Sequence, residues 1–128
     1  MSVQIDVSYG ELIDKITILE IKFERIGDAE KLKNIERELA ILNDAWLRTG
    51  VDPEVIVGQR ADLKAINETL WDIEDRIRQK EADKSFDQDF IEIARSVYRA
   101  NDERSRVKRA INERLGSSLV EEKSYQPY

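Results

Sequence analysis

Leu63-Lys64-Ala65-Ile66-Asn67-Glu68-Thr69-Leu70-Trp71-Asp72-Ile73-Glu74-Asp75-Arg76-Ile77-Arg78-Gln79-Lys80-Glu81 decides the fold. Leu63, Ile66, Leu70, Ile73 and Ile77 recur at alternating spacings of three and four, which sets them in one stripe along an α-helix with charge on the opposite side. A strand would need alternation by two. Asn67, Trp71, Glu74, Arg78 and Glu81 form a second line at helical spacing, polar apart from one indole. This helix therefore carries two faces that need partners.

Downstream, Ala82-Asp83-Lys84-Ser85 reads as a turn, and Ser85 with Gln88 offers a capping box for a further helix. Phe90, Ile93, Val97, Val107 and Ile111 share its seam, but the slots between Val97 and Val107 hold Ala100 and Arg104, so the middle is thin and polar. Gly116-Ser117-Ser118 stops it. Upstream, Thr49-Gly50-Val51-Asp52-Pro53 ends one helix and starts the next, with Asp52 as N-cap and Pro53 at the first helical position. From Pro53 the helix either runs unbroken to Glu81 or becomes regular only after Gly58.

Further back, Asp28 caps a helix whose seam is Leu32, Ile35, Leu39, Leu42 and Trp46. Before it, Ser8-Tyr9-Gly10-Glu11 reads as a capping box for a helix with Leu12, Ile16, Leu19, Phe23 and Ile26 on its apolar face and Gly27 as C-terminal cap. Val3, Ile5 and Val7 alternate with Gln4 and Asp6 like a short strand, which needs a partner. Leu119 and Val120, in the extended tail 116–128, are candidates for that pairing; a free tail is the alternative.

Helices at about 8–26, 29–49, 53–81 and 86–115 within a single domain, 1–128, define an all-α fold. The expected form is an antiparallel four-helix bundle, or a pair of long helical hairpins, with short extended N- and C-terminal segments. At 1.5 Å per residue the third helix spans about 42 Å and the first about 28 Å, so the later pair outreaches the earlier. A second copy of the chain is the expected cover, with Trp71 and Tyr98 as interface residues.

The composition narrows the chemistry. The 128 residues include no cysteine and no histidine, which removes disulfides, thiolate nucleophiles, zinc-thiolate sites and the commonest general base. A net charge of −6 without segregated basic residues argues against nucleic acid as partner. No apolar run approaches the roughly 20 residues of a membrane span, and the N-terminus lacks the pattern of a secretory signal, so a cytoplasmic protein without membrane contact is expected. No cofactor is expected. Glu11-x-x-Asp14 and Asp72-x-x-Asp75 come nearest to a magnesium-binding pattern, but no Glu-x-x-Glu accompanies them, and no metal site is expected.

Polar side chains flank the seams: Lys15, Lys22 and Arg25, then Asn67 and Glu74, then Arg95, Tyr98, Asn101, Arg104, Lys108 and Asn112. Two function classes follow. A non-enzymatic oligomerisation or protein-interaction module would fill these flanks with its own salt bridges. A binding protein or enzyme for an anionic or sugar-like small molecule would use Lys15, Lys22, Asn67, Glu74, Arg95, Tyr98 and Asn101 in a cleft between helices. Absent histidine and cysteine leave no ready base or nucleophile, whereas capped helices with continuous seams meet every need of a bundle, which favours the module. A pocket holding three or more of the seven residues unpaired with one another would count for the binder.

Gly10-Glu11-Leu12-Ile13-Asp14-Lys15-Ile16-Thr17-Ile18-Leu19-Glu20-Ile21-Lys22, Asn67 to Asp75, Phe90 to Asp102 and Val120-Glu121-Glu122-Lys123-Ser124-Tyr125 together resemble a family of short bacterial all-helical proteins known as a domain of unknown function. The resemblance covers nearly the whole chain and implies no activity or substrate. It does imply that the terminal segment docks rather than frays.

If the stripe is core, Leu70→Ala and Ile73→Ala should each cost about 2–5 kcal/mol in denaturant unfolding. Losses below about 0.5 kcal/mol at both positions would misplace it.

Overall fold

The computed structural model describes residues 1–128 and contains four α-helices and no β-strand. They are α1 (Tyr9–Arg25), α2 (Ala29–Arg48), α3 (Val57–Ala82) and α4 (Gln88–Leu115), with a 3-10 turn, Pro53–Ile56, leading into α3. That turn resolves the two courses open after Pro53: Asp52 caps it through the Glu54 amide, and regular α-helix begins at Val57. No helix is long and apolar enough to cross a membrane.

The caps follow the sequence in part. Ser8 Oγ accepts from the Glu11 amide at 3.1 Å, but the Glu11 carboxylate turns to Lys15 and Lys108 instead of completing the box. Asp28 accepts from the amides of Glu30 and Lys31. At α1's end Ile26 adopts extended backbone, so Gly27 is not a left-handed cap there. Gly116, by contrast, takes φ 64°, where a side chain would be strained. Asp87, not Ser85, caps α4. Its carboxylate accepts from the Phe90 amide and also from Lys80 and Ser85, three donors that one hydroxyl could not serve. Those bonds, the Phe90 amide first, hold the Asp87 carboxyl down at about 2.

Helix α1 is the hub. It packs against α2, α3 and α4, while α3 packs against α4, and α2 has no comparable contact with either of those two. Partners between α1 and α4 descend in number, Gly10 with Asn112, Glu11 with Lys108 and Asp14 with Arg104, so these helices run in opposite directions. The salt bridges between α1 and α3 ascend together, Glu20 with Arg60, Glu24 with Lys64 and Arg25 with Glu68 and Asp72, while Asn67 reaches back to Asp14 and Thr17. The main core gathers Leu12, Ile13, Ile16, Trp46, Ile56, Leu63 and Ile111 at one end, with Tyr9 packed edge-on against Trp46.

Hub position explains α1's burial. Ile13 and Ile21 are fully buried, whereas Phe23, expected on the apolar face, is exposed. On α2 only Ile35 and Trp46 of the seam are buried, because one neighbour covers one narrow stripe. On α3, Leu63 and Ile73 are buried but Leu70 is half-exposed on the rim of a cleft. The strand-like Val3, Ile5 and Val7 find no partner strand and are exposed. The tail docks on α4 through side chains: Glu121 on Lys108, Glu122 on Arg109, and Tyr128, whose hydroxyl donates to Asp102 at 2.5 Å while its ring meets Tyr98.

Close approach of α1 to α4 depends on Gly10. A Cβ there would collide with the Lys108 carbonyl oxygen, and the Gly10 amide donates to Asn112 Oδ1 at 2.7 Å, which satisfies a first-turn donor that the helix itself leaves open. Gly58, in the first turn of α3, has nothing near its missing Cβ. Gly10→Ala should therefore destabilise by about 1–3 kcal/mol through overpacking, while Gly58→Ala stabilises by about 0.5–1 kcal/mol. Urea unfolding of both variants checks the opposite signs. In the same assay Ile73→Ala should show the larger loss and Leu70→Ala distinctly less, since Leu70 begins half-exposed.

Candidate functional site

At the centre of the molecule α1 buries a carboxylate. Asp14 lies among Ile13, Ile16 and Thr17, where an ion without partners would cost several kcal/mol. Arg104 of α4 meets it two-handed, Nε to Oδ1 at 2.9 Å and Nη2 to Oδ2 at 2.5 Å. Asn67 of α3 donates Nδ2 to Asp14 Oδ1 at 3.0 Å and to Thr17 Oγ1 at 3.1 Å, and Thr17 passes its own proton to the Asp14 main-chain carbonyl. One carboxylate thus ties together three helices. Burial alone would push the Asp14 carboxyl up; hydrogen bonds from Arg104 and Asn67, with the charges of Arg104 and Lys108, outweigh it and hold the group below its ordinary value of 3.8.

A second node lies one turn away. Lys108 is buried, yet its ammonium reaches Glu11 at 2.7 Å and Glu121 of the tail at 3.1 Å. Burial works to lower its pKa, and the two carboxylates raise it beyond that loss. No buried side-chain nitrogen or oxygen lacks a hydrogen bond, so the polar interior is closed on itself.

Beside the first node opens a cleft of about 480 Å³. Its wall on α3 is the second line of the helix, Asn67, Trp71, Glu74 and Arg78; α4 supplies Val97, Asn101 and Arg104; Ile18, Leu70 and Ile73 form the apolar part. Of the seven residues expected around a ligand, the cleft brings together Asn67, Glu74 and Asn101, none paired with another of the three. The remaining four stand outside it. Lys15 pairs with Glu11, Arg95 pairs with Glu92, Tyr98 lies against Tyr128, and Lys22 forms no ion pair. Trp71 lines the cleft and Tyr98 does not, and Arg25 sits over the Trp71 ring, 5.8 Å from its centroid.

Asp14 is the residue that sequence reasoning undervalued. It appeared only as half of a Glu-x-x-Asp pair, whereas Glu11 faces lysines and Asp14 faces Arg104, and Asp72 likewise turns to Arg25. No group of three acidic side chains converges. The available signal was Arg104 occupying a core-facing slot of α4, which demanded a buried anion opposite.

Asp14→Asn keeps the shape and removes the charge, leaving Arg104 without its counter-ion. The expected cost at neutral pH is about 3 kcal/mol, the low end for a broken buried pair because Arg104 keeps some contact with water. A carboxyl held low in the folded state contributes stability that is complete above 3.8 and is lost as pH falls through the lower folded value. The gap between wild type and variant in urea unfolding should therefore be widest near neutrality and shrink below about pH 3. A gap independent of pH would mean that Asp14 is not the titrating partner.

No curated protein and no solved structure matched the chain. Residues 2–128 match the sequence model of a family of unknown function, DUF6165, and the chain, with the three-helix polar node at its centre, belongs to that family.

Proposed function

We propose that the chain is a self-associating helical module and not an enzyme, with a second copy of itself as partner. The observation that supports this reading is surface. The chain exposes 8868 Å², whereas a compact monomer of its size exposes about 7,000 Å². Part of the roughly 1,900 Å² excess comes from the extended termini, but the whole is more than twice the roughly 800 Å² that each partner contributes to a standard interface.

In this reading the four helices form an up-down-up-down antiparallel bundle whose α3–α4 hairpin is left over. Helix α1 has 17 residues and α4 has 28, so beyond the Arg25–Asp72 contact the hairpin continues with only itself for company. Phe86 and Phe90 meet edge to face at its tip, and Phe86, Ile91 and Tyr98 are exposed along it. Tyr98 belongs to the proposed interface as its rim, and Trp71 lies where the hairpin leaves α1. The flanking charges fit the same reading, since Lys15, Glu74 and Arg95 each have a partner within the chain.

A second reading, ligand binding by the expected set Lys15, Lys22, Asn67, Glu74, Arg95, Tyr98 and Asn101, is favoured by one observation: the cleft collects three of them.

Sedimentation velocity from about 1 to 100 µM tests the module, a range that covers ordinary homodimer affinities. A dimer or larger mass is expected, with Ile91→Lys weakening association at least tenfold while helicity by circular dichroism is unchanged. Monomer mass throughout the range would overturn the proposal.

A further inference from the structure

We infer that the cleft between α3 and α4 binds a neutral sugar ring. This goes beyond self-association, which concerns the far end of the same hairpin, and the two stand or fall separately.

The argument begins with two amides whose orientation is set by the protein. Asn67 is 6% exposed, and its Nδ2 is committed to two acceptors, Asp14 Oδ1 and Thr17 Oγ1. Its carbonyl oxygen accepts no hydrogen bond within the chain, although the residue lines the cleft. Asn101 is the mirror case. Its oxygen accepts from Arg104 Nη1 at 3.4 Å, which leaves its Nδ2 donors free on a cleft-lining side chain. An acceptor and a pair of donors on cleft-lining side chains are thus held in place before any ligand arrives, the few fixed polar groups by which a pocket orients what it binds.

Charge then decides between ligand classes. Arg104 is neutralised by Asp14, and Arg78 by Glu74 at 2.8 Å. Asp75 also lines the cleft and has no ion pair in the chain, so the cleft's balance is slightly negative. Phosphates and dicarboxylates would meet no uncompensated cation there and one carboxylate against them. A neutral polyol has no such penalty and offers both donors and acceptors to the two amides.

Shape completes the choice. The indole of Trp71 lies in the wall, and Arg25, itself held by Asp72 at 2.6 Å, covers the ring at 5.8 Å and steadies it. A large rigid ring with an apolar body is a suitable platform for the C–H face of a sugar, whose hydroxyls then point at the edge groups. The volume, about 480 Å³, falls within the range of small-molecule sites.

The chain has only two tryptophans, and Trp46 is buried in the core at the other end. Two indole N–H signals are therefore expected in a nitrogen–proton correlation spectrum, the Trp71 signal identified by its loss in Trp71→Phe. Methyl glycosides of glucose, galactose and N-acetylglucosamine, each raised to about 50 mM, should include at least one that moves the Trp71 signal with millimolar Kd and leaves Trp46 unmoved. Asn101→Ala should weaken that glycoside at least tenfold without changing the Trp46 signal or the sedimenting mass. No shift with any of the three glycosides would overturn the inference. So would tighter binding of glucose 6-phosphate or succinate than of every glycoside, or an affinity in Asn101→Ala within about twofold of wild type.

Discussion

A carboxylate in an apolar helix interface must be answered, and the answer organises this molecule. Asp14 stands between isoleucines on the most buried helix, and leaving it unpaired would cost more than most single side chains contribute to stability. Arg104 and Asn67 come from two different helices to meet it, so α3 and α4 are held in register against α1 by groups that tolerate no slip. A shift of one turn along α4 would set Ala100 or Lys108 opposite, and neither offers two parallel N–H donors. Apolar contacts alone are more forgiving, since Val97, Val107 and Ile111 could interlock at several offsets.

The two ends of the molecule are built differently as a result. At the end where α1 begins, Gly10 allows helix backbones to touch, and α2, the 3-10 turn and α4 close a dry core around Ile13 and Ile16. Toward the other end α1 stops, the core thins to Ile73 and Ile93, and the two long helices continue as a pair. The cleft lies at this transition, beside the polar node, walled by α3 and α4 with Ile18 of α1 in its apolar part.

Much of this was legible in the residues. Helix ends marked by Asp28, Asp52, Pro53 and Gly116 fell where expected because each residue has a local reason to stop or start a helix, and local reasons do not depend on the fold. The second line of α3, polar with one indole, is the wall of the cleft. What was not legible depended on distance through space. Ser85 and Asp87 are equally good caps on paper, and Lys80 of the preceding helix tips the balance to Asp87. Lys15 and Arg95 share helical spacing with cleft residues, but i, i+3 and i, i+4 partners on their own helices claim them. Only the packing of three helices shows that Arg104 has an anion to reach.

The α1–α4 contact joins residues about a hundred positions apart, Gly10 with Asn112 and Asp14 with Arg104. A chain made from its N-terminus exposes the hub helix well before it supplies the counter-ion, 90 positions later, so Asp14 waits in water until α4 has emerged. The α1–α2 hairpin can form early through its short connection, but it cannot commit to the native arrangement until α4 arrives. Completion of the core therefore waits on synthesis of α4.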